Sequence, residues 1–252
     1  MPTDLAAYAS AVVFIGATAF LLYGPVAQSA EVLARRIAPR LPQAAVYPID
    51  HVRSLVALPA FGILGLTIYV VSCALVGVSP LAAVGDTTLG LLLLGALLGI
   101  AEAALALILA STMIVAIAPF RLRGMPPDAI NTEMRIVGRS GWIRLYDHVL
   151  QMRPWPVPTV AIALPLMAEE LLFRGLAVTL LRPEGAVAAV ALTTAIFMAA
   201  QIAGMPSWFS SVPAICGALV VGLVHAYLFW AVPTLTPLLL AHLTFFLFIA
   251  RR

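Results

Sequence analysis

The sequence predicts an all-α fold, a polytopic bundle of transmembrane helices, and three observations support this prediction. Of its 252 residues, 63% are hydrophobic and only 10% are charged, a balance outside the range of soluble globular domains. Continuous apolar stretches recur along the chain, and most approach or exceed the roughly 20 residues that cross a bilayer. The only two cysteines, Cys73 and Cys216, lie inside such stretches, so no disulfide framework is indicated.

Seven apolar stretches are long enough to be spans. They lie near residues 7–27, 54–79, 88–118, 157–180, 186–204, 210–231 and 234–250. The first is too long for a signal-peptide core and has no basic residue before it, so an uncleaved span is expected. We expect one integral membrane unit. Its residues 1–156 hold N-terminal spans with amphipathic cytoplasmic segments, and its residues 157–252 hold the core helices.

Arginines predict how the bundle is oriented, since cytoplasmic connections carry the excess of basic residues. All 14 basic residues are arginine, and most lie in the connections 28–53 and 119–156. The connection 80–87 has Asp86 and no arginine, although Arg182 on a predicted outer turn does not fit. We therefore expect a multi-pass protein of the bacterial plasma (inner) membrane, with the N-terminus outside and the C-terminus cytoplasmic. Its net charge of +3 follows from topology, so membrane lipid is the expected partner and nucleic acid is not.

The segment 126–152 has the pattern of an amphipathic helix on the cytoplasmic side. Arginines fall on one side of it, and the apolar residues available for the other are Ile136, Trp142, Ile143, Leu145 and Val149. Such a helix would lie in the headgroup layer. The alternative is a solvated linker with some helix. The proline-rich RPWPVP that follows ends any helix there.

The stretch AEELLFRG places Glu169, Glu170 and Arg174 inside a predicted span. One ionised side chain at the centre of a bilayer costs about 2.5–3.5 kcal/mol, so these groups must face protein, water or each other. Glu170 and Arg174 are four residues apart and are expected to pair on one helix face. Glu169 is rotated by about 100° from Glu170, which leaves it outside that pair. Alternatively, the cluster only fixes helix packing.

Polar residues of the later spans are candidates to complete a site with Glu169. A carboxylate in a partly dry site suits a general base toward water, and acyl transfer also needs donors for an oxyanion. The candidate donors are Gln201, His225 and His242. We expect His225 to be a packing or interfacial residue, Glu102 to be either a helix contact or a partner of the site, and His51 and His148 to be solvated.

Three motifs together resemble the CPBP family, the CAAX prenyl protease type II and bacteriocin-processing intramembrane proteases, also called Abi proteins. EELLFRG is similar to the EExxxR motif of that family, and TTAIFMAAQ is similar to its Ser-Ser-x-x-Phe-x-x-x-His segment. The stretch from Gly217 to Phe246 resembles the glycine-rich helix and the P-x-x-x-x-H-x-x-x-N motif that close the family pattern. The resemblance covers about residues 157–250 and implies a bundle of seven to eight helices with an internal cavity.

The resemblance also implies roles for the matching residues. Glu169 would activate water, Glu170 and Arg174 would orient it, and His242 would contact the water or the oxyanion. Two positions depart from the pattern: Gln201 replaces a histidine and Phe246 replaces an asparagine. Glutamine still donates a hydrogen bond but does not exchange a proton as imidazole does, and phenylalanine does neither. Thr244 or His225 are candidates for a replacement donor.

These observations leave two main hypotheses. The first is an intramembrane endopeptidase that uses a glutamate-activated water on a membrane-bound or lipidated peptide. The second is a catalytically impaired member of the fold that binds a membrane partner or assists assembly. A small transporter with a charge relay is a third, weaker possibility. No cofactor is required by the glutamate mechanism, and no zinc motif occurs, although a divalent metal stays an open alternative.

Overall fold

The computed structural model describes residues 5–139, 142–203 and 205–249, and these residues form helices and connections without a β-strand. The α-helices are α1 Leu5–Leu21, α2 Ala27–Ile37, α3 Ile49–Val76, α4 Leu89–Arg121, α5 Pro127–Arg139, α6 Trp142–Leu150, α7 Pro156–Glu170, α8 Thr179–Leu181, α9 Ala186–Ile202, α10 Val212–Ala231 and α11 Thr236–Ile249. Each predicted span corresponds to one helix or one run of helices. The all-α prediction is confirmed.

Four helical stretches in the described ranges are long and apolar enough to cross a membrane: Ala6–Arg40, Ile49–Val76, Leu89–Arg121 and Val212–Ala231. The apolar helices α9 and α11 are shorter. The chain is therefore a multi-pass membrane protein, as predicted. The first helical stretch is longer than the predicted span 7–27, because α2 continues to Ile37 within the predicted connection 28–53. Arg251 and Arg252, which the predicted orientation places on the cytoplasmic side, lie outside the described residues.

Two segments of π-helix interrupt the long helices. The first, Leu22–Val26, joins α1 to α2 and contains Pro25, which has no N–H to continue the regular ladder of hydrogen bonds. The second, Leu171–Val178, joins α7 to α8 and follows directly on Glu170. Short π-helical turns widen a helix and frequently mark functional sites. Here they lie next to the charged cluster.

Glycines allow α4 and α11 to pack backbone to backbone. A Cβ atom on Gly95 would collide with the carbonyl oxygen of Pro237, and one on Gly99 would collide with that of Ala241. Gly95 and Gly99 are spaced as in the small-xxx-small contacts of membrane helices. Because His242 follows Ala241 directly, this close contact fixes the position of His242 along the axis of α4.

The amphipathic segment forms two helices, α5 and α6, and not one. Ser140 and Gly141, between them, lie outside the described residues, as does the side chain of Trp142. Val149 of α6 is fully buried and packs in one cluster with Leu58 of α3 and Ile162 of α7. The apolar side of α6 therefore packs against the bundle, and its position in the headgroup layer stays a prediction.

From the sequence we expect His51 and His148 to be solvated. In the structure both are half-buried and contact each other. Their rings stack with centroids 4.7 Å apart and 18° between planes. The Nδ1 atom of His148 lies 3.2 Å from Ser54 Oγ, and the Nε2 atom of His51 lies 3.1 Å from Gln151 Oε1. This histidine pair joins the start of α3 to α6.

Candidate functional site

The residues predicted from the three motifs come together in the middle of the bundle. Glu169 and Glu170 end α7, Arg174 lies in the π-helical segment that follows, Gln201 lies near the end of α9, and His242 lies on α11. Glu169, Glu170, Arg174 and His242 are buried, with at most 4% of each residue exposed, and Gln201 is half-buried.

Glu170 is the centre of the cluster. Its Oε1 atom lies 2.7 Å from Nδ1 of His242 and 3.1 Å from Nδ1 of His225. Its other oxygen, Oε2, forms an ion pair with Nε of Arg174 at 3.4 Å. An ionised carboxylate is the natural acceptor for three cationic or N–H groups at these distances. The predicted pairing of Glu170 with Arg174 is confirmed, although the geometry is that of an ion pair and not of a hydrogen bond.

Arg174 links the cluster to two neighbouring helices. Its Nη2 atom donates a hydrogen bond to the carbonyl oxygen of Val221 on α10 at 3.0 Å. Its guanidinium carbon lies 4.9 Å from the centre of the Phe197 ring on α9, a geometry in which the ring face attracts a cation. A buried guanidinium needs such partners, because an unpaired charge here would be costly.

His225, a candidate donor in the sequence that we expected to be a packing or interfacial residue, lies inside the charged cluster. It is completely buried, and each of its ring nitrogens faces a carboxylate. Nδ1 contacts Glu170, and Nε2 lies 3.2 Å from Oε2 of Glu102. Glu102 belongs to α4, so the cluster extends beyond the motif-bearing helices. When both carboxylates are ionised, an imidazolium that donates from both nitrogens completes this arrangement.

Glu169 lies outside the pair of Glu170 and Arg174, as predicted from helix rotation. It is not without a partner, however. The Oη atom of Tyr23 donates a hydrogen bond of 2.6 Å to its Oε1 atom. Its Oε2 atom lies 3.9 Å from Nε2 of His242, which is longer than a hydrogen bond.

Gln201 reaches Glu169 through Tyr23. Its Nε2 atom donates to Tyr23 Oη at 3.0 Å, and Tyr23 in turn donates to Glu169. Tyr23 lies in the first π-helical segment, 146 residues before Glu169. No local motif marks it, and only its position in a predicted span, two residues before Pro25, distinguishes it in the sequence.

A narrow cavity opens beside these side chains. Its volume of about 50 Å³ exceeds the roughly 10–15 Å³ that one water molecule needs. Glu169, Gln201 and His242 contribute the polar groups of its wall. Much of the rest is apolar and includes Phe197, Phe245, Phe246, Ala218, Val221 and Ile249. The cavity is thus an apolar chamber with a carboxylate and an imidazole in its wall.

Phe246 occupies the position at which the pattern of the CPBP family has asparagine, and it packs against the imidazole of His242. Its ring is stacked on that of His242, with centroids 5.4 Å apart and 28° between planes. On another side it contacts the Tyr146 ring at 4.3 Å. Thr244, considered as a replacement donor, lies instead against Gly99 of α4. Phe246 therefore fixes the imidazole by packing and donates no hydrogen bond.

A metal ion does not fit the cluster as it is arranged. Glu170, His225 and His242 place one ligand atom each within 4.8 Å of one another. However, the two Nδ1 atoms already lie at hydrogen-bond distance from one oxygen of Glu170, and the Arg174 cation lies beside its other oxygen. A second cation would meet that charge and would have to replace these hydrogen bonds. The donor set is that of a hydrogen-bonded ion cluster.

The comparison with known families agrees with the motifs. The family model Rce1-like, described as Type II CAAX prenyl endopeptidase Rce1-like, matches residues 151–248. No curated protein and no solved structure matches the chain significantly. The resemblance seen in the sequence is confirmed over this segment. The match includes Glu169, Glu170, Arg174, Gln201 and His242, whereas Tyr23 and Glu102 lie before it.

Proposed function

We propose that this membrane protein, with its match to the Rce1-like endopeptidases over residues 151–248, is an intramembrane endopeptidase that uses Glu169 to activate water. The observation that carries the proposal is the placement of two groups on one small cavity. Glu169 and His242 both line it, with Oε2 and Nε2 3.9 Å apart. A carboxylate base and an imidazole donor that face one apolar chamber are what peptide hydrolysis by direct attack of water needs.

In this mechanism Glu169 takes a proton from water as the water oxygen attacks the peptide carbonyl carbon. The tetrahedral intermediate carries its negative charge on the former carbonyl oxygen. His242 directs Nδ1 to Glu170, so Nε2 is the nitrogen available toward the cavity. A protonated ring stabilises the oxyanion from that nitrogen. Glu169 then gives its proton to the leaving amine nitrogen as the carbon–nitrogen bond breaks.

The cluster behind these two groups holds them in place. Glu170 keeps the His242 ring oriented through Nδ1, and Arg174 balances the charge of Glu170. His225 connects Glu170 to Glu102. Fixed dipoles and charges that need no rearrangement during the reaction are the main source of transition-state stabilisation in many enzymes. Residues with this function are positioning residues and do not contact the substrate.

The cavity wall suggests the substrate class. Phe197, Phe245 and Phe246 present aromatic surface next to Glu169, which favours an apolar side chain or a lipid group close to the scissile bond. We therefore propose a membrane-inserted or lipidated peptide as substrate.

We also propose that the protein lies in the plasma membrane, with the N-terminus outside and the C-terminus cytoplasmic, because arginines concentrate in the connections 28–53 and 119–156.

The test compares carboxylate variants of purified protein in liposomes. Two reporter peptides are supplied, an S-farnesylated peptide and an unlipidated single-span peptide, and new termini are identified by mass spectrometry in the presence of EDTA. Glu169→Gln is expected to abolish cleavage, since a general base contributes about 10²- to 10⁴-fold. Glu31→Gln, which alters an exposed carboxylate, is the control. No cleavage by the unmodified protein, with binding of a peptide retained, would favour a catalytically impaired partner-binding protein.

A further inference from the structure

We infer that Tyr23 is a positioning residue for Glu169, and that Gln201 acts on the site through Tyr23 and not on the substrate. The inference rests on the proposed function and deepens it. Tyr23 lies outside the segment that matches the family model, so its assignment comes from the contacts of this chain alone.

The hydrogen bonds run in one direction. The Gln201 amide donates to Tyr23 Oη at 3.0 Å, which leaves the phenolic hydrogen for Glu169 Oε1 at 2.6 Å. An amide that donates to a phenol strengthens the donation of the phenol in turn, because hydrogen bonds in a chain polarise one another. Both bonds therefore favour an ionised and fixed Glu169.

The first π-helical segment places Tyr23 where this chain of bonds requires it. Tyr23 is buried, and its ring packs against Phe61 of α3 at 5.9 Å and Phe173 at 6.4 Å. A ring held on two sides has little freedom, so its hydroxyl is aimed at Glu169 before a substrate arrives. Preorganisation of this kind lowers the cost of reaching the productive geometry.

The hydrogen bond from Tyr23 to Oε1 also gives the two oxygens of Glu169 different roles. Oε1 is taken by Tyr23, whereas Oε2 is directed toward His242. One oxygen is then fixed as an anchor and the other is available to water. In this arrangement Gln201, in the wall of the same cavity, contributes without the proton exchange that an imidazole would provide.

The experiment measures the protonation of Glu169 without requiring turnover. Infrared difference spectra of the protein in liposomes are recorded against pH, and the carboxylic acid band that disappears in Glu169→Gln identifies the group. The charged groups around Glu169 are Glu170 and Arg174 on its own helical run and His242 on α11, while Tyr23 and Tyr146 face it as titratable hydroxyls. All except Tyr23 are unchanged in the variant Tyr23→Phe.

In Tyr23→Phe the midpoint of this band is expected to move to higher pH by about one unit, because a hydrogen bond to the charged form is lost. Gln201→Leu should move it in the same direction by less. The double variant should behave as Tyr23→Phe alone. Tyr69→Phe is the matched control, since it removes a buried phenol that donates to the carbonyl of Pro80.

Two results would overturn the inference: an unchanged midpoint in Tyr23→Phe, or a further shift when Gln201→Leu is added to it. Cleavage assays separate this failure from failure of the proposed function. If Glu169→Gln is inactive while Tyr23→Phe retains the activity and the pH profile of the unmodified protein, the endopeptidase proposal stands and the inference falls. If Glu169→Gln cleaves normally, the proposed function itself falls, whatever the spectra show.

Discussion

His242 and Glu170 share a hydrogen bond of 2.7 Å between Nδ1 and Oε1. This bond decides which nitrogen of His242 is available for chemistry. Because Nδ1 is engaged, Nε2 is the atom that faces Glu169 across 3.9 Å. A hydrogen bond made by one ring nitrogen commonly fixes the tautomer and the orientation of an imidazole in this way. The bond links the charge cluster to the cavity.

Replacement of His242 should therefore affect turnover more than binding. We expect His242→Ala to lower kcat by about 10²- to 10³-fold, the effect of removing one oxyanion donor, with a smaller change in KM. His51→Ala, which alters a histidine far along the chain at the start of α3, is the control. Steady-state cleavage of the reporter peptide measures both constants. A kcat within about threefold of the unmodified value would remove His242 from the oxyanion role.

Glu102 should act through His225, and two variants separate charge from hydrogen bonding. Glu102→Gln keeps an oxygen acceptor for Nε2 of His225 but removes the charge, so we expect a folded protein with kcat lowered about tenfold. Glu102→Leu leaves a buried ring nitrogen without its partner, which costs about 1–3 kcal/mol of stability. Thermal unfolding in detergent and peptide cleavage report the two effects. Equal melting temperatures and equal kcat values for the two variants would contradict this separation of charge from hydrogen bonding.

Close packing of α4 on α11 should be sensitive to one methyl group. Gly99→Ala forces a Cβ atom onto the carbonyl of Ala241, and we expect a loss of about 3 kcal/mol in unfolding free energy, at the upper end of overpacking effects. Gly16→Ala is the matched control, because nothing lies within 4 Å of the added atom. Thermal unfolding of both proteins in the same detergent is compared. Equal stability of the two variants would show that the helices separate without cost.

The histidine pair at α3 and α6 should make stability depend on pH. Partial burial, together with the neighbouring His51 and Arg144, lowers the pKa of His148 below its usual 6.5, against the opposing effect of Asp147 and Asp50. The folded state thus prefers neutral His148. Its contribution to stability is present above about pH 6.5 and is lost as the pH falls from there through the lowered folded pKa.

His148→Gln removes this titration while retaining a side-chain amide that can form a hydrogen bond with Ser54 Oγ. We expect the melting temperature of the variant to fall less than that of the unmodified protein between about pH 7 and pH 5. Thermal unfolding at a series of pH values in one detergent measures the two slopes. Parallel slopes would mean that His148 does not carry the pH dependence.

Local spacing made part of the site predictable. Glu170 and Arg174 are four residues apart on one helix, so their pairing followed from helix geometry alone. Apolar stretches predicted the helices, and their ends were less accurate, as in the extension of α2 to Ile37. These features depend on neighbours in sequence.

The remainder of the site depends on contacts between distant segments. Tyr23 meets Glu169 across 146 residues, and Glu102 meets His225 across 123. Neither contact leaves a periodic signal, because each joins single residues of otherwise apolar helices. The π-helical turn at Leu22–Val26, which positions Tyr23, has Pro25 as its only local signal. Gln201 is a candidate from the sequence, and the structure places it in the cavity wall, whereas its partner Tyr23 is visible only in the fold.

The role that we propose for Glu169 is to activate water for peptide hydrolysis. The most direct measurement is the single-turnover rate of reporter-peptide cleavage by Glu169→Gln in liposomes, beside the unmodified protein and with equal thermal stability confirmed. We expect a loss of at least about 10²-fold, the lower range for a general base. A rate for Glu169→Gln equal to that of the unmodified protein would contradict it.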